Sequence, residues 1–386
     1  MPLSRKAVAH LQAGEVLVGT MIGVGMFGIP FAFVQAGFFV GMIYLVMLGL
    51  ATITLQLMYA EVTLQTPGKH RLVGYMRRYF NQKWAMAAAF VFLGGSWGAL
   101  IAYILIGGNF LGQLLMPFFG GTEPVYQGVF LAAGFLLALG GLRLVSGAEM
   151  YLVGLLVVAM LVVIFRGVFD MHVPNLLTSS TAHLLLPYGV VLFSLGGMTV
   201  IPEMRDVLGR YHNDLRSVII KSSLVVIILY AAFALAVVGV TGPATTEEAL
   251  SGIGAALGPW VLIVGVVMGF LAVATSFLTL ALSMQDMFEF DYGFTKLFSW
   301  FLMLIVPLVL FMFGARDFIR VIGFTGAVFG GLFGILVVLL YQRVRNRYCD
   351  RDARCFHLSN KVGYLIAVVF AIGAFLEIAR PLADFL

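Results

Sequence analysis

Hydrophobic residues run along this chain in long blocks, and polar residues collect in the short gaps between them. A helix needs about 20 mostly apolar residues to cross the hydrocarbon core of a bilayer. Eleven blocks reach that length, at 9–38, 40–64, 84–117, 125–144, 147–168, 184–206, 216–241, 257–287, 295–313, 319–341 and 362–380. The pattern predicts an all-α polytopic membrane protein, a single transmembrane unit over residues 1–386.

Composition supports lipid as the solvent. The chain is 61% hydrophobic and 11% charged, with a mean hydropathy of +1.04. A soluble domain carries about 25% charged residues. The first block begins near Val8 and continues past a glycine-rich break to about Gly37, too long for the apolar core of a cleaved signal peptide.

Charge orients the spans. With the N-terminus in the cytoplasm, only Arg166, Arg316, Arg320 and Arg380 fall outside, and the other 19 of the 23 basic residues fall inside. That bias is the positive-inside pattern, and one missed span in the middle would destroy it. The net charge of +5 is therefore a topology signal and not a sign of nucleic-acid binding. A cytoplasmic (inner) membrane location follows, with a cytoplasmic N-terminus and an extracytoplasmic C-terminus.

Two spans are interrupted in the same way. Span 1 holds Gly19-Thr20-Met21-Ile22-Gly23-Val24-Gly25-Met26-Phe27-Gly28-Ile29-Pro30, and span 6 holds Phe193-Ser194-Leu195-Gly196-Gly197-Met198-Thr199-Val200-Ile201-Pro202. Both contain Gly-Met-x-x-Ile-Pro, at Gly25–Pro30 and at Gly197–Pro202. Five spans separate the copies, so the second enters from the opposite side. The arrangement predicts a five-plus-five inverted repeat, 9–169 and 184–345, with an added span at 362–380. Each glycine weakens a helix by about 1 kcal/mol, and a proline suits the first turn of the restarted helix. A mid-membrane break leaves backbone groups that lipid cannot satisfy, so it persists where the backbone lines a cavity. Paired Gly/Pro-interrupted spans are the best sequence pointer to a transporter's binding site. The glycines of span 3 (Gly94, Gly95, Gly98) and span 10 (Gly326, Gly330, Gly331, Gly334) are assigned mainly to helix packing.

The span 1 stretch resembles that of the amino acid–polyamine–organocation superfamily, which has the leucine-transporter fold. The likeness is greatest to the aromatic amino acid permeases and the amino acid–auxin permease group. Ala274-Thr275-Ser276-Phe277-Leu278 in span 8 is similar to the same permeases. The resemblance covers spans 1 to 10 and implies a secondary transporter of neutral, hydrophobic or aromatic, L-amino acids working by alternating access. It implies that amides near Gly23 and Gly25 bind the substrate carboxylate, with Thr20 and Val24 beside them, because a half-helix N-terminus offers free N–H groups and partial positive charge. Carbonyls from Phe193 through Ser194 and Leu195 to Gly196 would accept from the ammonium. Phe193 would be an aromatic lid, and Met21, Trp97, Met198 and Leu280 would line the side-chain pocket. Tyr103 reads equally as a neighbour of the substrate or as an ordinary buried tyrosine.

For the coupling ion, the resemblance implies a sodium site made by the carbonyls of Gly19 and Ile22 with Ala272, Thr275 and Ser276. Hydroxyls in spans also bond back onto their own helix, which is the competing reading for Thr275 and Ser276. Protons are the rival. Glu15 lies within the first half of span 1, and an intramembrane carboxylate is a functional candidate. It reads as a proton carrier, a gate residue, or the structural partner of a basic residue such as Arg205. Glu203 reads as an inner gate or a surface salt bridge. A charge crossing about 100 mV supplies about 2.3 kcal/mol, roughly fifty-fold accumulation.

Other chemistries lack their residues. No phosphate-binding G-x-x-x-x-G-K-[S/T] run occurs, and the six histidines lie in loops or at span ends, so an enzyme is not expected. Cys349, Cys355 and His357 fall short of a four-ligand zinc set, and no cofactor is expected beyond a coupling Na+. An exchanger or an amino acid sensor on the same fold stays open, as does the oligomeric state.

Overall fold

The computed structural model describes residues 4–139, 148–177, 183–348 and 358–383. Helices occupy all eleven anticipated blocks. Unbroken helices form span 2 (Phe38–Gln65), span 3 (Gln82–Phe119), span 4 (Glu123–Leu139) and span 5 (Ala148–Phe169). They also form span 7 (Leu215–Thr241), span 8 (Pro259–Tyr292), span 9 (Lys296–Met312) and span 11 (Asn360–Ala383). Spans 4, 5 and 9 are short but apolar.

The breaks fall where the glycines are. Span 1 is two helices, Arg5–Met21 and Gly25–Ala36, bent 52° from one another. Span 6 is Leu186–Ser194 and Ile201–Leu208, joined through a 3-10 turn at Met198–Val200. Span 10 (Phe318–Tyr348) is continuous but holds a π-helical turn over Thr325–Gly330. Two further helices had no counterpart in the hydrophobic blocks because they are too short and too mixed. Leu72–Tyr79 in the 2–3 loop buries Leu72, Val73, Tyr75, Met76 and Tyr79 and leaves Arg77 and Arg78 in water. Leu250–Leu257 lies in the 7–8 connection.

Spans 1, 2, 6 and 7 are cross-bonded by polar groups. Glu61 of span 2, fully buried, pairs with Arg216 at the start of span 7 and accepts from Gln65 Nε2 at 2.9 Å. Arg205, ending span 6, caps span 2 by donating to the carbonyls of Thr63 (2.7 Å), Thr66 (3.2 Å) and Gly68 (2.8 Å). Near the N-terminus, Lys6 and His10 both reach Asp214 at 2.9 Å. Those hydrogen bonds, that from Lys6 foremost, hold the Asp214 carboxyl below its ordinary pKa. The other set is tied too: Trp300 of span 9 donates to the Phe135 carbonyl of span 4 at 3.0 Å, and Phe277 of span 8 packs edge-on against Phe130 and Phe135. Lys6, Lys69, Arg71, Arg205 and Arg345 all make their contacts at one end of the bundle, the basic end anticipated from the charge pattern.

Removing one partner of a buried ion pair costs about 3–5 kcal/mol, since it strands the other charge. Glu61→Ala should therefore lower the melting temperature in detergent markedly, and adding Arg216→Met should restore part of the loss. Equal melting of wild type and Glu61→Ala would remove the pair from the account.

Candidate functional site

Both breaks face one cavity of about 200 Å³, far above the ~10–15 Å³ that a single water needs. Thr20, Met21, Gly23, Val24 and Gly25 of span 1 line it. Phe193, Ser194, Gly196 and Met198 of span 6, Tyr103 of span 3 and Leu280 of span 8 complete the residues expected there that it contains. Trp97 and Leu195, also expected there, are not among the residues that line it. Span 3 presents Phe92, Ser96, Ala99 and Tyr103 at helical spacing, and Trp97 is one position off that stripe. Leu195 is 0% exposed and belongs to the core.

The broken backbone is only partly open. Gly23 N–H turns back to the Met21 carbonyl (2.9 Å) and Gly196 N–H to that of Phe193 (3.0 Å), so neither group is as free as the sequence suggested. The amides of Val24 and Gly25 have no partner among the described residues, and no backbone N–H reaches the carbonyls of Gly19, Thr20 or Ile22. Free donors therefore begin one residue later than the glycine pattern implied.

A residue that the sequence reading missed joins the two breaks. Tyr230 of span 7 is fully buried, and its hydroxyl meets the Met21 carbonyl of span 1 and the Ser194 carbonyl of span 6, the latter at 3.2 Å. Gln56 of span 2 lies beside it, its Nε2 3.9 Å from Met21 Sδ and its Oε1 accepting from Ser223 Oγ at 2.7 Å. Gly25 allows the close approach: a Cβ there would lie 2.6 Å from Ser194 Oγ and 2.9 Å from Ser194 Cα.

Span 10 contributes more than packing. Thr325, Gly326, Phe329, Gly330 and Phe333 line the cavity, along with Gly95 and Ser96 of span 3. The π turn brings them there, and such turns concentrate at functional sites. Glycine density was the sole sequence trace of this wall, and it reads the same for packing.

The cavity opens toward the basic end. Its span 3 wall extends from Tyr103 down to Val91, about 18 Å by helix rise. Thr20, Gly196 and Thr199 are exposed within it. The opposite end is shut: Val24, Met26 and Phe27 are 1–2% exposed, and Phe27 packs edge-on against Phe110 with ring centroids 5.1 Å apart.

Two of the expected cation ligands, Thr275 and Gly19, have other neighbours in this conformation. Thr275 Oγ1 donates to its own helix, to Leu271 O (3.1 Å) and Ala272 O (2.9 Å). Gly19 faces Val153 of span 5, and the first half of span 1 packs chiefly on spans 6 and 7. The oxygens of Gly19, Ile22 and Thr275 suit a monovalent cation in kind, with Ala272 buried and Ser276 half-buried on the span 8 side. Glu15 is half-buried with no ion-pair partner among the described residues; Arg205, considered for it, is committed to span 2 and Asp206. Glu203 lies 3.9 Å from Arg71 as a surface pair. Cys349, Cys355 and His357 lie outside the described residues, among which no metal-binding cluster occurs.

Residues 6–380 match the tryptophan/tyrosine permease family. The chain belongs to that family. It is an amino acid transporter of the membrane, and not an enzyme. Sequence comparison with curated proteins gave no match. Three solved structures share the fold. The crystal structure of MhsT in complex with L-phenylalanine aligns with a TM-score of 0.66 at 15% identity, covering 97% of this chain and 98% of that one. Inward-facing Mhp1 aligns at 0.68 and 14%, covering 97% and 91%. Mhp1, a nucleobase-cation-symport-1 family transporter, in a closed conformation with bromovinylhydantoin aligns at 0.60 and 12%, covering 96% and 93%. The permease thus has the leucine-transporter fold, as its broken spans indicated.

In the permease, Tyr230→Phe would leave the buried Ser194 carbonyl without that donor, a cost of about 1–3 kcal/mol. Substrate affinity is expected to fall about tenfold, measured by amino acid binding to the purified variant. Unchanged affinity and unchanged melting would show that the hydroxyl does not hold the breaks together.

Proposed function

We propose that this permease is a cation-coupled symporter of aromatic L-amino acids, tryptophan or tyrosine, that works by alternating access. The observation that carries the reading is the pair of helix breaks on one cavity, with the unpartnered amides of Val24 and Gly25 on one side and the carbonyl-rich turn of span 6 on the other. An amino acid's carboxylate suits the first and its ammonium the second. The family supports an aromatic side chain, and so do the phenylalanines of the cavity wall.

With the basic end in the cytoplasm, the cavity here is open to the cytoplasm and closed to the outside. Spans 1, 2, 6 and 7, cross-bonded as one unit, would rock against spans 3, 4, 8 and 9, each set drawing two spans from each of the inverted repeats 9–169 and 184–345. The cation we favour is Na+, held between the open carbonyls of Gly19 and Ile22 and the hydroxyls of Thr275 and Ser276. Spans 1 and 8 meet through Phe27 and Gly269, and the site would be completed as the first half of span 1 moves toward span 8 when the inner side closes. A second reading rests on Glu15, whose carboxylate has no ion-pair partner among the described residues and could carry a proton.

Uptake of radiolabelled tryptophan and tyrosine into proteoliposomes tests this. An inward Na+ gradient should drive it, and Thr275→Ala should reduce it at least tenfold. Uptake driven by protons alone and abolished in Glu15→Gln would move the coupling to that carboxylate. Binding without net uptake under either gradient would contradict symport and favour an exchanger or a sensor.

A further inference from the structure

Span 3 meets span 10 by placing glycines against side chains. Gly94 faces Phe329: a Cβ at Gly94 would overlap Cε1 and Cζ of that ring and lie 2.7 Å from Cδ1. One turn further along span 3, Gly98 faces Thr325, and a Cβ there would lie 2.7 Å from Cγ2. Phe329 lines the substrate cavity, whereas Gly94 is not among the lining residues. The ring therefore has a notch in span 3 on one side and the cavity on another.

A methyl group added at position 94 would have to be accommodated by the ring. Alanine is a better helix former than glycine, so the change does not weaken span 3 itself. Span 10 has little room to withdraw, because its π turn is held from two directions. Thr325 presses on Gly98 of span 3, and Gly326 presses on span 6, where a Cβ would lie 2.8 Å from Phe193 Cβ. Phe329 is also flanked by Phe90 and Phe324, with ring centroids 6.0 and 6.1 Å away. The cavity is the unfilled space beside it, so the ring would turn inward. An extra methyl in a packed site shifts its neighbours in this way.

We propose that Gly94 is a positioning residue for substrate size, which acts by holding the Phe329 ring back from the cavity and so leaves room for a bulky aromatic side chain. Helix packing and substrate selection are then one property at this position. The inference rests on the aromatic-substrate reading above and adds the residue that sets how large a ring is admitted. In an apolar pocket a single methylene separates competing substrates by about 10–200-fold.

The test is direct binding of radiolabelled tryptophan, tyrosine and phenylalanine to the permease in proteoliposomes. In Gly94→Ala the loss of affinity should grow with the ring, to about tenfold for tryptophan, while phenylalanine stays within about twofold. Phe329→Leu shortens the wall, so adding Gly94→Ala to it should change tryptophan affinity by no more than about twofold. An equal loss for all three ligands marks a packing fault alone and overturns the size role. Unchanged or raised tryptophan affinity in Gly94→Ala overturns it too, as does a tryptophan loss of the same size with Phe329→Leu present. Each of these leaves the aromatic substrate in place. Wild-type protein that binds none of the three overturns both.

Discussion

A helix broken inside a bilayer must find partners for its freed backbone groups within the protein or its ligand, because lipid offers none. In this permease one hydroxyl answers for both breaks. Tyr230 is fully buried and reaches the carbonyls of Met21 and Ser194, so the two interruptions, 173 residues apart from Met21 to Ser194 in sequence, are fixed against one another. What this contact leaves open is as informative as what it closes. Val24 and Gly25 line the cavity, their amides have no partner among the described residues, and an anionic group fits there.

The same logic runs outward. Gln56 and Ser223 back the span 1 break, Glu61 and Arg216 lock spans 2 and 7, and Arg205 caps span 2 from span 6. Buried polar groups satisfied in this way hold one arrangement and make partial rearrangement costly. Such cross-bonding would favour movement of these spans as one body. Where spans 6 and 10 meet, by contrast, the contact is made through small residues: Gly189 packs against Gly323 and Gly326.

Much of this was legible in the sequence. The eleven blocks, the basic end and both breaks are written in apolar length, arginine and lysine placement, and the Gly-Met-x-x-Ile-Pro repeat. Those signals are local, and each has a single physical cause. The misses are of another kind. Tyr230, Gln56 and Glu61 act chiefly through partners 35 to 209 residues away, and nothing adjacent to them marks that use. Glu61 alone carried a readable sign, as a carboxylate at the end of an apolar block. Ser96, one residue from the expected Trp97, shows how a single 100° helical step decides which side chain reaches a cavity. The π turn of span 10 moved glycines assigned to packing onto the wall of the site.

If the two breaks form the substrate site, a bound amino acid sits between them. The most direct measurement is a cryo-electron microscopy structure of the purified permease with saturating tryptophan. Ligand density is expected between spans 1, 3, 6 and 10, with the carboxylate against the amides of Val24 and Gly25 and the ring toward Phe92, Phe329 and Phe333. Density at another place, with this cavity empty, would contradict it.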